Sequence, residues 1–357
     1  MKRSLFILLL LVFLSNCSAD EQKLGQARDF AMGFTSWSFG PREQDVDDTY
    51  SFIAENADIY AEHLDTAIPW TAWINEQPLP VAFTNEISGR VARKITGKQL
   101  LLSVSLLNTN RAELAADYSG EPPNYSSLDD AAIREAYYKH IRYLVGEFHP
   151  DYLVIAIEVN ELKLRSPEKW EAYKNLITDV RSRIRQSHPD LKISESVSLH
   201  NLYEANVSDP QTHVEDIMTH VNKNDFVAVS FYPFLKNLRA KNDFQRALGF
   251  LHKQAIRPIA LVETAHLAEN LTIPALEVSI EGNENEQGIY LETILENART
   301  HGYEFIIWWA HRDFDALWET FPDEVRDIGQ LWRDTGLIDE TGEERRAFSV
   351  WKNNFLN

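Results

Sequence analysis

The chain has 357 residues, 44% of them hydrophobic and 11% aromatic, and a formal net charge of −19. Such acidity argues against nucleic acid and anionic lipid as partners and favours neutral or cationic ones. Cys17 is the only cysteine, so no disulfide framework is available, and the aromatic-rich core needs none.

The N-terminus reads as a leader. Lys2 and Arg3 give a basic start, and Leu5–Leu14 is an apolar run too short for a bilayer span but suited to a secretory signal. Leu14-Ser15-Asn16-Cys17 resembles the lipobox of bacterial lipoproteins, which implies lipidation of Cys17. The expectation is a signal peptide over 1–16, a lipidated N-terminus and tether over 17–30, and one domain over 31–357. The protein is then exported and held at a bacterial membrane, facing periplasm or cell surface, only through its lipid. Loss of Lys2 and Arg3 with the leader takes the charge from −19 to −21.

Beyond the tether, short apolar runs alternate with longer amphipathic stretches. The runs are Met32–Trp37, Ile59–Leu64, Leu100–Leu106, Tyr152–Ile157, Lys192–Val197, Phe226–Phe231, Ile259–Val262 and Phe305–Trp309. Helical patterns lie between them at Asp45–Glu55, Thr84–Ile95, Ala131–Glu147, Pro167–Gln186, Val214–Val221, Asp243–Gln254 and Glu286–Thr300, with Asp323–Thr335 after the last run. Continuous rather than alternating runs suit parallel strands covered on both faces. Eight β/α units in strict alternation predict an α/β fold, a single-domain (β/α)8 TIM barrel. A doubly wound sheet would usually carry a G-x-G-x-x-G turn, and the sequence has none.

In a barrel the chemistry gathers at the C-terminal ends of the strands. There the sequence places Trp37, His63, Asn108, Asn160-Glu161, His200, Tyr232, Glu263 and Trp308-Trp309. Glu161 closes the fourth run and Glu263 the seventh, so the two are expected to face each other across the mouth. Two carboxylates about 5 Å apart can divide the work of a retaining glycosidase, one attacking the anomeric carbon and one serving as acid and then base.

Asn160-Glu161 and Glu263 resemble the catalytic motifs of glycoside hydrolase clan A. The resemblance implies Glu161 as acid/base, Glu263 as nucleophile, Asn160 on the sugar 2-hydroxyl and Tyr232 hydrogen-bonded to the nucleophile. It also implies Trp309 or Trp308 as the floor of the sugar site. "PIALVETAH", "NEQGIYLETIL" and "IIWWAH" are most similar to family 53, the endo-β-1,4-galactanases. The clan's usual strand-two arginine has no counterpart here, where that strand offers Glu62-His63.

Trp37, His63 and His200 are further expected substrate contacts, and His266, Trp70 and Trp73 are candidates on the same grounds. Glu158 is expected to anchor the barrel interior, and Trp332 and Trp351 to be core. No H-x-H, H-E-x-x-H or G-x-S-x-G occurs, so no metal or cofactor is expected. A monomer acting on a carbohydrate substrate is the reading. Its rivals are a non-catalytic carbohydrate-binding lipoprotein and another clan A specificity such as mannanase, xylanase or glucanase. A binding relic would tend to lose one glutamate, and both are present.

Overall fold

The computed structural model describes residues 28–356; the expected signal peptide, Cys17 and most of the tether lie outside the described residues. The apolar runs form parallel strands: Ala31–Thr35, Ile59–Leu64, Gln99–Val104, Tyr152–Val154, Lys192–Ser194 with Ser196–Ser198, Val227–Phe231, Ile259–Thr264 and Phe305–Trp308. We number them first to eighth, with the two short segments counted as one fifth strand broken at Glu195. The first segment pairs with the fourth strand and the second with the sixth, and the first strand pairs with the eighth. The ring therefore closes, as the sequence predicted.

Helices cover it outside, among them Glu43–Asn56, Val81–Ala92, Ala131–Phe148, Trp170–Ser187, Pro210–Val221, Lys241–Gln254, Glu284–His301 and Arg346–Phe355. Inward residues such as Ile59, Ala61, Leu101, Val154, Ala228, Val262 and Ile307 fill the barrel as a separate apolar cluster. The first and second strands approach so closely that a Cβ on Gly33 would lie 1.9 Å from the Ile59 carbonyl oxygen. Only glycine fits there.

Glu195 interrupts the fifth strand and is fully buried beneath the helical layer. Tyr173 donates to it at 2.5 Å, His220 Nε2 lies 2.9 Å away and Arg181 3.7 Å away. These partners tie the barrel wall to two helices through one compensated charge. Among the described residues no helix is long and apolar enough to cross a membrane.

The fourth strand departs from expectation. Its regular pairing stops at Val154, yet Ile155 N still donates to Ser194 O and Val159 N to Ser196 O, each at 2.9 Å. Glu158 turns the chain with φ +53°, and Asn160 already opens a short helix, Asn160–Arg165. The strand thus ends at Val154, with two further backbone bonds on to Val159, and Asn160 and Glu161 stand in the first helical turn. The predicted helix over Asp323–Thr335 is also shorter: Asp323–Gly329, followed by a 3-10 turn at Gln330–Trp332.

Candidate active site

Alternation along the strands decides which groups reach the mouth. Ile59 and Ala61 lie inside, so His63 follows them; Phe226 and Ala228 lead to Ser230 and Tyr232; Phe305 and Ile307 lead to Trp309. The seventh strand carries a register shift against the sixth, which sets Glu263 beside Ser230.

Glu263 is 8% exposed. Tyr232 donates to its Oε2 at 2.9 Å and Ser230 to its Oε1 at 3.3 Å. Burial pushes its carboxyl up to about 7, opposed by the Tyr232 hydrogen bond and the Arg111 charge and reinforced by Asp65. Glu158 matches it. Burial pushes this second carboxyl up to about 7 as well, with Arg111 opposing and the charges of Glu263, Glu161 and Asp65 adding. Among the described residues Glu158 meets a single weak donor, Arg111 Nε at 3.4 Å. The negative charge of Glu263 adds to the effect of burial on Glu158, so the ionisation of one bears on the other.

Arg111 binds the cluster together. It comes from the loop after the third strand, holds φ +57°, and meets Asp65 with two nitrogens at 2.9 and 2.7 Å. It also donates to Ser105 Oγ at 3.1 Å. Sequence patterning missed it because a loop, not a strand, delivers it. Its partner Asp65 is the residue that directly follows the second strand.

Glu161 and Asn160 are placed differently from expectation. Glu161 accepts from Ser198 Oγ at 2.5 Å, Asn201 Nδ2 at 2.8 Å and Arg165 Nη2 at 3.4 Å. Asn160 is 1% exposed, and its amide is engaged with Ser198: Oδ1 accepts from the Ser198 amide at 2.7 Å, while Nδ2 donates to Ser198 O at 3.2 Å. That amide locks the helix to the fifth strand. The early end of the fourth strand is the cause.

The aromatic walls follow the sequence more closely. Trp309 packs against Trp37, with ring centroids 5.1 Å apart, and against His63 at 5.2 Å. Its peptide bond to Ala310 is cis. Trp308 faces the other way: fully buried, it donates to Thr335 O at 3.0 Å and belongs to the core. Phe314 and Phe321, from the segment after the eighth strand, close over Trp37 at 5.8 and 6.3 Å.

From that same segment Trp332, expected in the core, is only half-buried, with its ring 5.9 Å from that of Tyr232. The indole nitrogens of Trp37, Trp309 and Trp332 and His200 Nδ1 are buried without a hydrogen-bond partner. Burial pushes His63 and His200 down to about 4, so both are neutral donors or acceptors near pH 7.

The remaining residues are structural. Trp70 and Trp351 are fully buried, Trp73 packs on His140 and Tyr143, and His266 is fully buried against backbone carbonyls. Gln287, from the Gln-Gly motif, donates to the carbonyls of His266, Thr335 and Gly336. It fastens the loops after the seventh and eighth strands together. Asp313, Asp315 and Asp334 gather carboxylate oxygens within 4.8 Å of one another, and Arg345 and Arg333 pair with them.

A closed parallel barrel with linked carboxyls and aromatic walls at its C-terminal mouth has the (β/α)8 fold of the clan A glycoside hydrolases. No family model and no curated protein matches the chain. Solved structures do. The GH53 catalytic domain of Ignisphaera aggregans shares 15% identity over 93% of this chain and 98% of its own, with a TM-score of 0.60. GH5_18 of Streptomyces cattleya, solved in complex with GlcNAc, shares 12% over 93% and 82%, with a TM-score of 0.65. The exo-β-1,4-mannosidase of Opitutaceae bacterium strain TAV5 shares 12% over 92% and 59%, with a TM-score of 0.61.

Proposed function

We propose that the protein is a retaining glycoside hydrolase of β-linked poly- or oligosaccharides, with Glu263 as nucleophile and Glu158 as acid/base. One observation carries this reading: two mutually influencing carboxyls at the mouth, Glu263 buried and Glu158 partly buried, whose neighbours differ. Two hydroxyls donate to Glu263 and favour its ionised form, whereas among the described residues Glu158 meets only the Arg111 guanidinium at 3.4 Å and is assigned the proton.

In the first step a Glu263 oxygen bonds to the anomeric carbon while the glycosidic bond breaks, and the Glu158 proton passes to the leaving oxygen. In the second, the Glu158 carboxylate takes a proton from water, which displaces Glu263 and restores both groups. Glu161, the acid/base by motif, lies within the first turn of the following helix with its Oε1 held by both Ser198 and Asn201, so Glu158 is preferred here. The family 53-like sequence motifs make galactan the first candidate substrate, and similarity to an exo-β-1,4-mannosidase adds β-mannosides as the second.

The test is a panel of aryl β-glycosides, β-1,4-galactan and β-mannan, followed by NMR of the first product formed. A β-anomer is expected. An α-anomer, or binding without turnover across the panel, removes the retaining hydrolase and favours the binding-protein rival.

Arg111 lowers both carboxyls, so Arg111→Met should move both limbs of the pH–rate profile upward by roughly one unit or more. The acid limb follows ionisation of Glu263 and the alkaline limb deprotonation of Glu158. An unmoved profile would detach Arg111 from the pair.

We also propose that the chain is exported and lipid-anchored at Cys17, on the strength of the lipobox-like Leu14–Cys17. Cys17→Ala should then leave the membrane fraction. Unchanged membrane association would place the anchor elsewhere.

A further inference from the structure

The strands run parallel, so their first residues share one rim of the barrel and the mouth lies at the other. The chain enters at the first of these rims, where Arg28 is held: it pairs with Asp58, and its Nη2 donates to the Phe355 carbonyl at 3.2 Å. From Cys17 to Arg28 even a fully extended chain reaches only about 40 Å. A domain of this length is roughly 50 Å across. With the mouth against a bilayer that holds Cys17, Arg28 would stand on the far side, beyond that reach.

Surface charge points the same way. Lys223, Lys253 and Arg257 are exposed on the strand-start rim, at the ends of the helices Pro210–Val221 and Lys241–Gln254 and in the loop before the seventh strand. Among the described residues none of the three has a carboxylate partner. Ile256, beside Arg257, is 79% exposed. One carboxylate, Glu215, lines the groove between Lys223 and Ile256 and accepts from Gln211 at 2.8 Å.

Elsewhere on this rim Asp58, Asp225 and Glu304 are matched by Arg28, Arg185 and Lys192, while Glu147 and Asp190 stay exposed before the fourth and fifth strands. The mouth side is more acidic: the segment after the eighth strand exposes Glu319, Glu324, Asp327 and Glu340. Charges beyond about 10 Å are screened in 0.1 M salt, so the face in contact decides attraction to lipid, not the net −19.

We infer that the strand-start rim lies against the bilayer that carries the Cys17 lipid, with Lys223, Lys253 and Arg257 on anionic headgroups and the mouth turned outward. The inference rests on the Cys17 anchor and adds which surface meets the lipid. A mouth so directed meets its substrate in the aqueous phase.

The experiment places lipidated protein, purified from membranes, in vesicles of phosphatidylethanolamine and phosphatidylglycerol. The lipid blocks Cys17, so Gln186→Cys on the near rim and Asn124→Cys on the mouth side each take a single donor dye. Energy transfer to acceptor-labelled lipid should be at least about twofold greater from position 186, given roughly 50 Å between the rims. Equal or reversed transfer overturns the orientation.

Lys223→Glu, Lys253→Glu and Arg257→Glu together, in protein shown folded by its thermal midpoint, should lower transfer from position 186 at least about twofold in these vesicles. In phosphatidylcholine vesicles the same changes should have no effect. Transfer that the charge reversals leave unchanged in both removes the headgroup contact. Cys17→Ala separates the two readings: a variant that stays in the membrane fraction sinks the anchor and this inference together, whereas equal transfer in an anchored protein sinks the inference alone.

Discussion

Glu263→Ala should lower kcat/KM roughly 10⁴-fold or more on every substrate, about 5.5 kcal/mol of barrier, because no glycosyl-enzyme can form. The loss must be separated from misfolding, and the carboxyl's own titration supplies the means. Its folded value is raised from 4.5 to about 7, chiefly by burial. A carboxyl raised in this sense is held protonated by the fold, and its ionisation costs stability as pH climbs from the unfolded value through the folded one. Glu263→Gln keeps the shape and removes that cost. It should therefore melt at a higher temperature than the parent above pH 7 and show little gain near pH 4. Dead in turnover and steadier in alkali is the expected pair of results. Near-parental turnover in Glu263→Gln would end its role as nucleophile.

Much of this arrangement was legible in the sequence. Strands buried on both faces announce themselves as unbroken apolar runs, and eight such runs in alternation leave few folds to choose from. Glu263, Tyr232 and Trp309 follow from counting outward along strands whose inner residues are apolar. What failed was the assumption that the fourth strand stays regular to its end. The Asn160-Glu161 motif sits beyond the regular end at Val154, and the chain turns at Glu158 through a left-handed conformation that its sequence does not signal.

Arg111 and Trp332 were missed for a different reason. They reach the mouth from irregular segments, where no periodicity reports which way a side chain points. Trp308 shows the reverse: two adjacent tryptophans on one strand must face opposite sides, and only the register tells which faces the sugar site.

The sharpest test lies between the two glutamates that end the fourth strand and begin the next helix. If Glu158 carries the proton, Glu158→Ala should lose roughly 10²–10⁴-fold on substrates with poor leaving groups, which need protonation. A dinitrophenyl glycoside needs little, so glycosylation of Glu263 should proceed and the intermediate should accumulate as a burst. Deglycosylation stalls because the attacking water has lost its base. Azide requires none and should restore turnover, giving a β-glycosyl azide by displacement of Glu263. Glu161→Ala should behave otherwise. It removes a carboxylate that anchors Ser198, Asn201 and Arg165 and takes one negative charge away from Glu158. Its rate should fall less than about tenfold, its alkaline limb should shift down as Glu158 loses its proton more easily, and azide should do nothing. Should Glu161→Ala be the variant that azide rescues, the motif reading of Glu161 as acid/base is restored and Glu158 becomes the residue that tunes it.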